Sequence, residues 1–536
     1  MFFSKQLFSR IFCVANYGVM LMSTLVLFST AAVAQISQPH RYERKQKNSY
    51  EPFNVISLQE EGIALFREQD KYKGQNKLWE LIILDTALAE KKTMELEVKE
   101  RYKLIGYEVV PENIFFLYRT GETTKNSFEL IQVSTSAEEK SRQEIKPDFD
   151  FRPTHFSKVG KNFVFGGYVN NDPAIFSYNI ETRLIKVIPG FFQKDAELVD
   201  LRANVNGTFN TVMIDRGVRD GRKLFFKTFT EEGELLLEDI VPIDENITLQ
   251  TGLSSTLERE DLVLLGNWGE KSSKQSKGFF SLTIDPFGDQ KIQYYDFGKL
   301  THYLDYINPK RAEKLKTASK EDATAGEIPT YTNYVMPYRI AESAEAYYLL
   351  AEVYTPTSTT SPYYSSPYYN PYYYSPSFGY GPTSYYRPRG YQPAPYSTTL
   401  RDSDIKTHES VVIAFDGTGK MLWDFSMKLE DIELPSVEQA TDFHVGNGKA
   451  YLIYKAEDSM LKVKMIRTAD GTSEDFSEKV KTLESTDVIR DERKSEGSVR
   501  FWYDNAFYVW GYQTLKNETH SDRVRDVFYI NKISTH

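Results

Sequence analysis

NIFFLYRTGETTKNSFELIQVS, residues 113–134, reads as an apolar run, a polar turn and a second apolar run. Phe, Tyr, Ile, Leu and Val fit a pleated, partly buried surface, and the turn is rich in Gly, Thr, Lys and Asn. The second run recurs along the chain. It appears as WELIILD ending at Asp85, FELIQVS at Ser134, IFSYN at Asn179 and LFFKTFT at Thr230. It returns as FFSLTID at Asp285, VVIAFD at Asp416, VKMIRT at Thr468 and VFYIN at Asn531. A similar strand precedes most of them: GIALFRE (62–68), NFVFGGY (162–168), DLVLLGN (261–267), AYYLLAEV (346–353), KAYLIYK (449–455) and NAFYVWG (505–511). Helical periodicity is nearly absent.

The steps between successive hairpins are 49, 45, 51, 55, 131, 52 and 63 residues. The long one contains two segments without strand character, 299–330 and 355–400, and without them it falls to 53. A unit of about 50 residues and four strands is the size of a propeller blade. The chain is therefore expected to be all-β, a β-propeller of seven or eight four-stranded blades, with paired β-sandwiches as the alternative. The last hairpin ends too close to His536 to leave room for a full fourth strand. Residues near 40–50 are expected to supply it beside the C-terminal strand, which closes the ring and removes free edges. Asn206-Gly207 and Asn447-Gly448 are hairpin turns by their chemistry.

The two insertions differ. In 299–330, Pro309 can open a helix and RAEKLKTASK suits one, with apolar residues too sparse for a core. From Tyr354 to Tyr396 inclusive the chain has 13 tyrosines among Pro, Ser and Thr. Proline at this density excludes a central strand, and such composition does not form a core. A disordered excursion from a blade loop is expected; an adhesive tyrosine patch is the functional alternative.

Residues 1–34 read as a secretory signal: Lys5 and Arg10, an apolar stretch, then Ala32-Val33-Ala34, with cleavage before Gln35. An uncleaved anchor is the alternative. The remaining 35–536 would form a single propeller domain with no further membrane span. The only cysteine, Cys13, lies in the signal, so disulfides and thiol chemistry are excluded from the rest. The formal net charge of −10 becomes −12 without Lys5 and Arg10, which disfavours nucleic acid as a partner. The expected location is beyond the inner membrane: periplasmic, at the cell surface or extracellular.

No strong chemical motif emerges. The histidines, His40, His155, His302, His408, His444, His520 and His536, lack zinc-protease spacing. Calcium-loop and nucleophile-elbow patterns are absent. Asp148 and Asp150 in DFDF would share one face of a strand, as glycosidase carboxylates could, but such pairs are common in an acid-rich chain. AFDGTGKMLWDF (414–425) lacks the length and the helix of a phosphate loop. It resembles one repeat of the pyrroloquinoline-quinone-type propellers through Asp416, Thr418, Gly419, Lys420 and Trp423, with one residue missing between Asp and Thr. That resemblance implies a blade turn and does not imply the quinone; no cofactor is expected. In composition and architecture the chain is similar to secreted bacterial propeller repeat proteins.

If the first strand of each blade lines the axis, RPTHF (152–156), LRANV (201–205), MPYRI (336–340), FHVG (443–446) and VRFWY (499–503) bring Arg152, His155, Arg202, Arg339, His444 and Arg500 there. Converging cations would bind an anion. The alternative is that they pair with blade acids and plug the channel. The functional expectation is an exported, non-enzymatic binding or interaction protein, its partner a glycan, a peptide or an envelope protein. The alternative is an exported glycan-acting hydrolase or lyase.

Overall fold

The computed structural model describes residues 36–46, 51–120, 127–170, 172–191, 193, 195–217, 221–255, 262–271, 273–285, 290–356, 405–434, 437–519 and 521–536. The proposed signal and nearly all of the Tyr/Pro-rich insertion lie outside them. The described chain folds into eight antiparallel sheets arranged as the blades of a propeller. Blades I to VII span 54–99, 102–145, 152–188, 196–242, 247–296, 334–434 and 441–479. Blade VIII spans 488–535 and takes its outermost strand, Ile36–Lys45, from the beginning of the chain. That strand pairs antiparallel with Val524–Thr535, from Ile36 opposite Thr535 to Lys45 opposite Val527. The expected closure is present, through a strand that begins at Ile36 and so earlier than the expected 40–50, of which 47–50 lie outside the described residues, and the ring is completed by main-chain hydrogen bonds.

The eight recurrent runs are the third strands of their blades, and the runs quoted upstream are the second strands. In blade V the first strand is broken into Ile247–Leu249 and Leu253–Ser254, both paired with Leu262–Glu270. The Asn447-Gly448 turn joins Gly446 directly to its partner Lys449, with φ of 52° and 71° at its two residues. Asn and Gly are the residues that reach this left-handed region at least cost.

The core is not one mass. Eight apolar clusters lie one at each blade interface. Alternate residues of a strand feed opposite interfaces: Ile63 and Leu65 face blade VIII, while Ala64 and Phe66 face blade II. Both faces are thus covered, which is why the runs read as nearly continuous apolar stretches.

Each blade also reaches the next through a side-chain hydrogen bond to its backbone. Glu61 accepts from Glu112 N, Glu108 from Lys158 N and Tyr168 from Leu198 N. Asp200 accepts from Ser254 N, and Asn267 donates to Val335 O. Glu352 accepts from Thr441 N, Asp442 from Phe501 N and Tyr512 from Phe53 N. The circuit is complete.

Candidate functional site

The innermost strands carry the predicted cations, and blades VI to VIII bring Arg339 and His444 onto one ring, that of Phe501, next in sequence to Arg500. Arg339 Nη1 donates to Asp442 Oδ1 at 2.7 Å and to Phe443 O at 2.9 Å. Its guanidinium lies over the rings of Phe443 and Phe501, 4.9 and 5.0 Å from their centroids. His444 stacks on the same Phe501 at 4.9 Å. Burial, then the charge of Arg339, pushes the His444 pKa down to about 4, so its ring is neutral near pH 7. Arg500 donates to Gln439 O, Val499 O and Ser498 Oγ, each at 2.6 Å.

Arg152, His155 and Arg202 sit on blades III and IV instead. Arg152 is exposed, with its guanidinium 5.0 Å from the Tyr168 ring centroid. His155 is buried, its Nδ1 2.8 Å from Thr154 Oγ1. Thr154 is a β-bulge, which puts Arg152 and His155 opposite Tyr168 and Gly166 on one side of the strand. Arg202 is fully buried, its Nε 3.7 Å from Asp200. The innermost strands of blades IV and VIII end at Ala203 and Phe501, because tight turns follow. Asn204, Val205, Trp502 and Tyr503 therefore lie beyond the axial strands on which the sequence reading had placed them.

Sequence reasoning missed the acids among these cations. Asp200 Oδ2 accepts from Ser254 N and Oγ, both at 2.8 Å. Asp442 bridges Arg339, Phe443 N and Phe501 N. Glu352 is 1% exposed and accepts from Ala440 N, Thr441 N and Thr441 Oγ1 at 2.8–3.1 Å. Burial pushes Glu352 up to about 7, with the Thr441 and Ala440 bonds and the Arg500 charge opposing. Burial also pushes Glu108 up to about 7 against bonds from Ser157 and Lys158. Only Asp200 carried a local signal, since it lies two residues from Arg202 in DLR.

Both insertions leave and re-enter the described chain at one face of the propeller. Strands alternate in direction, so links between blades and second-to-third strand loops share an end of the sheet. The first insertion contains the helix Pro309–Ala325, the only α-helix among the described residues. Asn308 caps it through Lys310 N, Pro309 starts it, and Gly326 ends it at φ 74°. Its leading segment is tied to blade VI: Thr301 N and His302 N donate to Asp424 at 2.7 Å, and Ser426 Oγ donates to His302 O at 2.7 Å. Asn333 Nδ2 lies 2.8–3.1 Å from the hydroxyls of Tyr303, Tyr306 and Tyr331. Tyr306 stacks on His408, which is bonded to Thr355. Pro356 and Ile405 are opposite each other across the strands, so residues 357–404 leave and re-enter the fold beside this surface.

Asp148 and Asp150 do not share a strand. They lie, exposed, in the link between Glu139–Ile145 and Arg152–Val159, where Phe151 is the buried anchor. The Asp416–Lys420 stretch is a blade turn: Asp416 accepts from Thr418 N and Lys420 N, and Gly419 O accepts from Tyr295 of blade V. Among the described residues no group of three or more His, Cys, Asp or Glu could hold a metal ion.

No protein-family model matches this chain, and no curated protein matches it in sequence. Solved structures with a similar fold include a prolyl endopeptidase at 9% identity, covering 88% of this chain and 55% of that one, TM-score 0.37. The β-propeller domain of the trilobed protease from Pyrococcus furiosus is similar at 12% identity, 80% and 93% coverage and TM-score 0.33. The polysaccharide lyase Uly1 is similar at 10% identity, 90% and 99% coverage and TM-score 0.36. The chain spans about half the length of the endopeptidase.

Proposed function

We propose that this chain is an exported binding protein of the cell envelope or exterior, in which the propeller holds a partner and does not transform it. One observation carries the reading. The buried acids Asp200 and Asp442, on innermost strands, and Glu352, on the second strand of blade VI, each hold the backbone of the next blade. Glu352 has the proton affinity of a general acid at neutral pH, but it is buried and bonded to Thr441, out of hydrogen-bond reach of a substrate. The axis thereby acts as a frame, and the face at which both insertions leave the blades is where the chain departs from the repeat.

Cosedimentation tests this. The full gene is expressed in a Gram-negative host, and the chain is recovered from the envelope and medium and sequenced from its N-terminus. The purified protein and a variant lacking residues 357–404 are then mixed with isolated envelopes of that host. The expected result is a start at Gln35 and saturable cosedimentation, weakened at least tenfold by the deletion with the thermal midpoint unchanged. A cytoplasmic chain with an intact N-terminus, or no cosedimentation by the full chain, refutes the reading.

A further inference from the structure

On the face opposite the insertions, an open cleft of about 430 Å³ lies between blades II and III. It falls within the usual range for small-molecule sites, roughly 300–1,000 Å³. Its lining departs from the interface above it. There, blade II presents Phe115, Leu117, Phe128 and Leu130 to the phenylalanines of blade III. Phe115 also borders the cleft, and beyond it the same side of blade II carries Asn113, Gln132 and, on the outermost strand, Ser141 and Gln143.

These groups are pre-set. Ser141 Oγ donates to Gln132 Oε1 at 3.0 Å, and Gln132 Nε2 donates to Asn113 Oδ1 at 2.9 Å. Gln143 is held by the Tyr178 hydroxyl at 2.7 Å and by Ile180 O at 3.1 Å. Asn113 Nδ2 donates to Pro111 O at 3.2 Å. A primary amide has two N–H donors, so Gln132 and Asn113 each retain a second one on a fixed side chain. On the blade III side Lys161 is paired with Glu181 at 2.9 Å, and Lys158 Nζ is turned onto Gly160 O. The Glu231 carboxylate, which accepts from Lys161 N, faces Lys158 and offsets its charge, so the rim is close to charge-neutral.

We propose that this cleft is a subsite for a short, uncharged oligosaccharide. Sugar hydroxyls both donate and accept, which matches a row of oriented amides and a serine. The fixed amides reduce the ordering cost of binding. The assignment rests on the binding-protein reading and supplies a ligand class for it.

Calorimetric titration of the full chain with cellotriose, triacetylchitotriose and trigalacturonate tests it, beside Gln132→Ala/Ser141→Ala and the chain lacking 357–404. A neutral trimer is expected to bind saturably. The double variant should bind at least tenfold more weakly with an unchanged thermal midpoint, and the deletion should bind as the full chain does. If the double variant lowers the midpoint, Ser141→Tyr, which fills the cleft from the outer strand, replaces it. No binding of either neutral trimer up to about 10 mM overturns the subsite. Equal affinity in the cleft variants or preference for trigalacturonate does the same. In those cases envelope cosedimentation still decides the broader reading. Binding lost only on deletion of 357–404 also overturns the cleft, while supporting the broader reading.

Discussion

The interface between blades I and II and that between blades VI and VII join similar surfaces by different means. At the first, Phe66 stacks on Phe116 at 4.2 Å and on Trp79 at 4.9 Å, and Tyr118 meets Trp79 edge-on at 5.7 Å. At the second, an apolar cluster of Leu350, Val412, Phe443 and Leu452 is overlaid by two buried acids. Glu352 holds the Ala440–Thr441 backbone, and Asp442 pairs with Arg339 and reaches onward to blade VIII. Stacked rings need only contact and exclusion of water, and are insensitive to pH. Buried carboxyls fix a defined backbone geometry, and they link it to protonation.

The largest expected break is Asp442→Ala. It leaves Arg339 buried without its carboxylate and frees Phe501 N, so a loss of about 4–5 kcal/mol is expected by chemical denaturation. An equal stability of Asp442→Ala and wild type would mean that the acid contributes nothing to the VI–VIII sector.

Phe66→Ala should cost about 3–4 kcal/mol, through lost burial and the cavity it leaves between blades I and II. Its loss should be the same at pH 5 and pH 8. A pH-dependent loss would show that the aromatic interface is coupled to the acid ones.

Glu352 and Glu108 set a pH trend. Their folded pKa is raised from 4.5 to about 7, so the folded state binds more protons. Their stabilisation is complete below about pH 4.5 and declines as pH climbs through about 7, by roughly 3 kcal/mol each at most. Glu352→Gln should flatten the slope of stability against pH between 5 and 8. An unchanged slope would remove Glu352 from the account.

The smallest effect is expected in a turn of blade VII that touches neither kind of interface. Asn447 sits at φ 52°, and Asn447→Ala should cost about 1 kcal/mol, equally at both pH values.

Much of the fold is legible along the chain. The third strands recur at a near-constant step, Asn447-Gly448 marks its own hairpin, and the shortage of residues after Asn531 points to the strand that Ile36–Lys45 supplies. The helix at Pro309 follows from its cap and its proline. The candidate site is much less legible. Arg339 and Asp442 are 103 residues apart, and Glu352 and Thr441 are 89 apart. Bulges at Ile105, Thr154, Val199 and Tyr338 each insert one residue, which shifts the inward and outward alternation beyond them.

By itself the amino-acid sequence determined strand identity, the four-strand repeat and the closure of the ring. Alternation, turn chemistry and period are all local or repeated properties of the chain. Only the tertiary structure decided which blade each face packs against, which acid holds which backbone amide, and that both insertions start and end at one face while the amide-lined cleft opens on the other. Those outcomes depend on contacts between distant residues, and on register shifts that no local pattern encodes.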